Sequence, residues 1–145
     1  MKVIITITES ALPIARTIQR EWLDAEVVRM SDKTFLTEHW KELECVVFVG
    51  AMGICVRTIA PLLNDKYTDP AVICVDSTGK YVIPVVSGHI GGANDYSKRI
   101  AAILGGEAII TTQSDNLGLW AIDTLAQKYG WQTEVDHTRM NLFVY

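Results

Sequence analysis

Nine residues, Ser87 to Asp95 (SGHIGGAND), hold the densest set of groups able to do chemistry in this chain. His89 stands among Gly88, Gly91 and Gly92, with Ser87 before it and Asn94 after it. Near neutral pH an imidazole serves as general base, general acid or metal ligand, and glycine lets a backbone approach a ligand closely. A hydrogen-bonded structural histidine fits the same loop, so local chemistry leaves both readings open. Ser87 and His89 are not by themselves a triad signature, because a nucleophile and its base are normally brought together by the fold.

A second candidate is GAMGICVRTIAPLL. It puts Gly50, Met52 and Gly53 at a strand-to-helix turn, with Arg57 one helical turn further along and Pro61 late in or just beyond the helix. The carboxyl end of a strand and the helix start that follows it form the usual ligand crevice of an α/β sheet, and unpaired N–H groups there favour an anion. Close helix–sheet packing explains the same two glycines equally well. Arg57 and Lys66 flank the Pro61 bend and are suited to ligand carboxylates, with a solvated or structural ion pair as the alternative. Turn and cap duties account for Asp76 and Asp95. Thr111, Thr112 and Asp115 follow a further strand, where a third ligand-lining loop is expected.

No metal site is expected from protein ligands. His39, His89 and His137 are far apart, and Cys45, Cys55 and Cys74 lie singly in apolar surroundings without CxxC spacing. Buried small hydrophobes are the simpler reading of these cysteines. His39, beside Trp40, is expected on a solvated surface.

The elements that must position these groups alternate strand and helix. The 145 residues suggest one domain over 1–145, and 49% apolar with 21% charged is ordinary globular usage. A formal charge of -4 with no basic stripe excludes the electrostatics that nucleic-acid binding relies on. The start, MKVIITITES, lacks a signal-peptide core, and no apolar run approaches the span of a bilayer. The expectation is a cytoplasmic protein with no membrane partner.

Val3 to Thr8 reads as a strand, followed by a helix capped by Ser10, with Pro13 in its first turn and Ala11, Ala15, Ile18 and Trp22 on one face. Ala25 to Met30 is a second strand, and Ser31 to Lys41 a weakly helical link. Cys45 to Val49 has no charges, as suits a central strand buried on both faces. Ala71–Val75 and Tyr81–Val86, joined by DSTGK, form a β-hairpin, with irregularity or an edge at Pro84. A helix from near Asn94, capped by Asn94 or Asp95, runs to Gly105-Gly106. Glu107 to Thr112 is a strand, Ser114 or Asp115 starts a helix to Gly130, and 135–145 carries a last strand or the start of another segment. The fold class is α/β, a three-layer α/β/α arrangement around a mainly parallel, mixed sheet with one hairpin. The glycine turns at Gly50 and Gly88 and the Thr111 turn are expected to line one crevice.

The stretches VFVGAMGICVRTIAPLLNDKYTDPAVICVD, GKYVIPVVSGHIGGAND and AAILGGEAIITTQSD are similar to the N-terminal region of the cobalamin-biosynthesis protein G family. The resemblance runs from about Val46 to Asp115 and rests on long motifs. It implies a cobalt-precorrin 5A hydrolase of the anaerobic vitamin B12 pathway, which opens a δ-lactone and releases acetaldehyde. The implied partner is a cobalt-corrinoid substrate that brings its own cobalt, so no resident cofactor is expected. A C-terminal domain or other enzymes of the pathway are the implied protein partners. Under this resemblance His89 activates water or shuttles a proton, while Gly50, Met52, Gly53, Arg57, Ser87, Gly88, Gly91, Gly92 and Asn94 contact a macrocycle fringed with carboxylates.

Overall fold

The apolar run Cys45–Val49 becomes strand β3, buried along its whole length because it lies inside a six-stranded sheet with helices on both faces. The computed structural model describes residues 1–31 and 34–112. By its internal contacts the chain divides into two compact units, Met1–Ile109 and Ile110–Tyr145, and the sheet belongs to the first. The helix expected over 114–130 and the last strand at 135–145 lie outside the described residues.

In chain order the first unit contains β1 (Lys2–Thr6), α1 (Leu12–Glu21), β2 (Ala25–Arg29), α2 (Thr34–His39), β3, α3 (Met52–Ile59), β4 (Ala71–Val75), β5 (Tyr81–Val86), α4 (Ala93–Leu104) and β6 (Glu107–Ala108). The strand order is β2-β1-β3-β4-β5-β6. The first four strands in that order are parallel, whereas β5 runs antiparallel to β4 and β6 parallel to β5. The mixed α/β sheet with one hairpin is therefore as expected.

Side chains alternate across the sheet, as period-2 geometry requires. Ile4, Val47 and Ile73 face α1 and α4, where they meet Ile18 and Ile100. Val3, Ile5, Val46, Phe48 and Val72 face α2 and α3, where they meet Leu36 and Ile59. Each such aliphatic or aromatic side chain, removed from water, contributes about 1.5–3 kcal/mol before the entropy of ordering is set against it. The expected face of α1 is confirmed, with Ala11, Ala15, Ile18 and Trp22 all buried. Cys45, Cys55 and Cys74 are free thiols in the two cores, as expected.

Several boundaries differ from expectation. β1 stops at Thr6, and the chain enters α1 through a 3-10 turn at Glu9–Ala11, so Ser10 does not cap the helix. Its hydroxyl lies 2.9 Å from that of Thr8 instead. Pro13 does sit in the first turn. His39 is half-buried, its ring 4.6 Å from that of Phe35 and its Nδ1 3.2 Å from Glu42. The strand expected over Glu107 to Thr112 is reduced to β6, which has only two residues.

The hairpin follows its turn chemistry. The Asp76 carboxylate accepts hydrogen bonds from the backbone of Thr78, Lys80 and Tyr81 and from the Thr78 hydroxyl. Burial opposes its charge, but these donors prevail and hold the carboxyl below the usual carboxylate range. The irregularity expected near Pro84 is present as a register shift between Val72 and Ile73, where Ile73 pairs with Pro84 and Val72 with Val86. Proline lacks the ladder donor, so β5 slips there.

Candidate functional site

The direction of β5 decides what the site contains. Thr6, Arg29, Val49 and Val75 end their strands at one rim of the sheet, the carboxyl rim. Because β5 is antiparallel, its end at Val86 lies beside Val72, at the opposite, amino rim. The Gly50–Gly53 turn and the Ser87–Gly92 loop consequently open at opposite rims. Four strand steps of about 3.3 Å put at least about 13 Å between them. The expectation of a single crevice is corrected. The hairpin reading of DSTGK already contained the signal, since a hairpin returns the chain to the rim it came from. Of the third expected loop, Thr111 and Thr112 belong to the second unit and Asp115 lies outside the described residues.

At the carboxyl rim Gly50 donates its N–H to Val75, 2.9 Å away, and its carbonyl accepts the Cys74 thiol at 3.3 Å. Cys55, hydrogen-bonded to Cys74 and buried, has its thiol pushed above the ordinary range. α3 begins at Met52 without a side-chain cap, so Met52 and Gly53 lie in its first turn. A Cβ on Gly53 would meet nothing within 4 Å, which removes close helix–sheet packing as the reason for that glycine. Arg57 is exposed in the last turn of α3 and makes no ion pair among the described residues.

The loop at the amino rim is built more tightly. Ser87 is buried and holds φ +58°, a left-handed conformation that costs an L-residue about 1–2 kcal/mol. Three hydrogen bonds around it and its neighbour keep it there. Its hydroxyl donates to the Asp69 carbonyl at 3.2 Å, its carbonyl accepts the Ala93 N–H at 3.1 Å, and the Gly88 carbonyl accepts the Asn94 N–H at 3.0 Å. Gly91 packs so closely that a Cβ there would stand 2.6 Å from the Ser87 Cβ and 2.9 Å from its carbonyl oxygen. Gly92, at φ +84°, occupies the N-cap of α4, displacing the expected caps Asn94 and Asp95 into the helix. Asn94 is buried in the first turn, and Asp95 is exposed.

What this loop presents is His89 and Ile90, both exposed. The amides of Ala93 and Asn94 are spent on Ser87 and Gly88, so they are not available to an anion as expected. The amides of His89, Ile90 and Gly91 have no partner among the described residues. The loop thus carries an exposed imidazole and, among the described residues, three successive amides without a hydrogen-bond partner. Strain held by an over-determined surround is a recurrent property of functional loops.

Two residues that sequence reasoning passed over complete this rim. Asp69 is buried, and its carboxylate accepts Trp40 Nε1 at 3.2 Å and the Asn64 N–H at 2.8 Å, while its carbonyl receives Ser87. Trp40 and Asp69 are 29 positions apart, so no local spacing announces the pair. Lys66 stands half-buried near them in sequence, its Nζ 5.5 Å from the Tyr67 ring centre. Among the described residues no group of three or more His, Cys, Asp or Glu side chains is arranged to hold a metal ion, and no helix is long and apolar enough to cross a membrane.

Comparison with known proteins gives this architecture its context. The chain is 33% identical over 149 aligned residues to the cobalt-precorrin-5A hydrolase of Priestia megaterium, covering 90% of this chain and 40% of that protein. It is 49% identical over 81 residues to the cobalt-precorrin-5A hydrolase of Salmonella typhimurium, covering 56% of this chain and 23% of that one. Among solved structures, a cobalamin biosynthesis protein G homolog from Sulfolobus solfataricus superposes with a TM-score of 0.68 at 32% identity, covering 76% of this chain and 36% of its own. The chain thus spans less than half the length of each of these relatives. The family model for the cobalamin synthesis G N-terminal region matches residues 34–115, more than half of the chain and inclusive of both glycine turns. By that match, together with the shared fold, the chain belongs to the cobalamin synthesis G N-terminal family.

Proposed function

We propose that this protein acts in cobalt-precorrin-5A hydrolysis, and that the Ser87–Gly92 loop is where it meets the lactone. The observation that carries the reading is the 33% identity across 90% of this chain to a hydrolase of that name. The loop supplies suitable groups. Water, deprotonated by His89, attacks the lactone carbonyl carbon, and the charge that develops on the carbonyl oxygen is met by the amides of His89, Ile90 and Gly91. The ring C–O bond then breaks, and the imidazolium returns its proton to the departing alkoxide. Release of acetaldehyde from the opened form then breaks the C–C bond that joins the two-carbon fragment to the macrocycle: the freed hydroxyl loses its proton and becomes the aldehyde carbonyl, while the electron pair of that bond stays with the macrocycle carbon, which takes up a proton. Cobalt arrives within the substrate, no resident cofactor takes part, and a cytoplasmic location suits such a pathway. Gly50, Met52, Gly53 and Arg57 open on the other rim and take no part in this step.

A second reading rests on length. Because the chain spans 40% of the Priestia hydrolase and 23% of the Salmonella one, it can equally serve as a corrinoid-binding module whose chemistry needs a C-terminal domain. Anaerobic incubation of the purified protein with cobalt-precorrin 5A, with acetaldehyde assayed, separates the two. Acetaldehyde release, reduced about 100-fold or more by His89→Ala with corrinoid binding retained, is the expected result. Binding without release assigns the module role, and full turnover by His89→Ala removes His89 from the chemistry.

A further inference from the structure

The carboxyl rim carries a cleft that the reaction at His89 leaves unused. It encloses about 220 Å³ between the end of β1, the end of β2 and the start of α1. In an open α/β sheet, ligands bind outside the carboxyl ends of the strands. Thr6 and Arg29 close β1 and β2 as direct partners in the ladder. By strand alternation their side chains share the face of Ile4 and Val27, the one that packs on α1. Glu9 and Arg16 wall the other side, and Leu12 and Val27 add apolar surface.

Two observations point to what the cleft takes. Thr6 lines it at only 1% exposure, and its hydroxyl has no hydrogen-bond partner among the described residues. A buried hydroxyl normally has one. The wall also carries two guanidiniums, Arg16 and Arg29, against the single carboxylate of Glu9, so its charge is positive in a chain of net charge -4. Arg16 gives an N–H to Gln19 at 2.8 Å, and Arg29 meets Glu9 at 3.3 Å. A guanidinium has several more donors in a planar fork, and these suit an oxoanion. The Arg29–Glu9 pair lies in solvent, with side chains 61% and 85% exposed, and gives way to a competing anion at little cost. The cleft is smaller than one that a drug-sized ligand fills, so it has room for one oxoanion on a short arm.

We propose that this cleft binds a small oxoanion, with Arg16 and Arg29 supplying charge and the Thr6 hydroxyl donating a hydrogen bond. The site stands apart from the hydrolase reading, because His89 opens on the other rim. The probes are inorganic phosphate and acetate, each titrated calorimetrically into the whole protein at fixed ionic strength. Saturable binding is expected, weakened about tenfold or more by Arg16→Ala or Arg29→Ala. Arg20→Ala removes the same charge from α1 outside the cleft and should stay within about twofold of the parent. Thr6→Val keeps the side-chain volume and should weaken binding about fivefold or more. The arginine variants change exposed side chains and keep the fold, so they carry the test even where Thr6→Val does not fold. Glu9→Gln, which releases Arg29, should bind more tightly than the parent. Phosphate bound more tightly than acetate assigns a phosphoryl ligand, and the reverse order a carboxylate; either supports the site. No saturable binding of either anion, unchanged binding by both cleft arginine variants, or an equal loss in Arg20→Ala overturns it.

Discussion

Replacing Gly91 by alanine should unfold the protein far more easily than the same replacement at Gly53, although each change adds one methyl group. At Gly91 the new Cβ would lie 2.6 Å from the Ser87 Cβ and 2.9 Å from the Ser87 carbonyl oxygen, so backbone has to move. Overpacking of this kind costs about 1–3 kcal/mol. Displacing Ser87 also loosens its bonds to Asp69 and Ala93, each with a net value of about 1 kcal/mol. With both bonds lost the sum is about 3–5 kcal/mol of destabilisation. At Gly53 the methyl enters open space on a helix, and alanine's helix preference over glycine yields a gain of up to about 1 kcal/mol. Urea unfolding followed by far-ultraviolet circular dichroism reads both. With a slope of about 1.5 kcal/mol/M, a loss of about 3 kcal/mol lowers the midpoint by about 2 M. A Gly91→Ala midpoint equal to the parent's, or a Gly53→Ala midpoint below that of Gly91→Ala, refutes the account of the loop as a tightly pinned structure.

Two further outcomes follow from the titrating groups. The folded state lowers the Asp76 carboxyl below its ordinary 3.8, so as pH falls the unfolded chain takes up the proton first. The contribution of Asp76 is thus present at neutral pH and lost in the acid range. Asp76→Asn should cost about 1–2 kcal/mol at pH 7 and show a shallower decline of urea stability below pH 4 than the parent, whereas parallel declines exclude Asp76 as the source. Burial pushes the Cys45 thiol up to about 12. Native protein at pH 8 should therefore resist iodoacetamide at Cys45, as read by mass spectrometry, and become reactive in strong urea; native modification at the unfolded rate contradicts that burial.

Much of the fold is legible from local pattern. The charge-free run at Cys45–Val49, the α1 face of Ala15 and Ile18, and the turn chemistry at Asp76 are near-neighbour properties, and each stands where it was expected. Helix starts were less legible. Ser10 and Asn94 are good caps by residue type, yet the chain enters α1 by a 3-10 turn and α4 by a left-handed glycine, because tertiary packing sets the entry angle of each segment.

The candidate site divides in the same way. By itself the sequence determined that His89 sits on a glycine loop after an apolar strand, that Gly50 to Gly53 starts a helix after another, and that these motifs resemble one family. Tertiary structure decided that the two turns open at opposite rims, because β5 pairs antiparallel with β4 and so reverses the direction in which the chain leaves the sheet. It also decided that Trp40, Asp69 and Ser87 form one unit around the His89 loop. Those bonds join residues 18 and 29 positions apart, and a buried carboxylate finds such donors only after the strands that carry the chain past one another have paired.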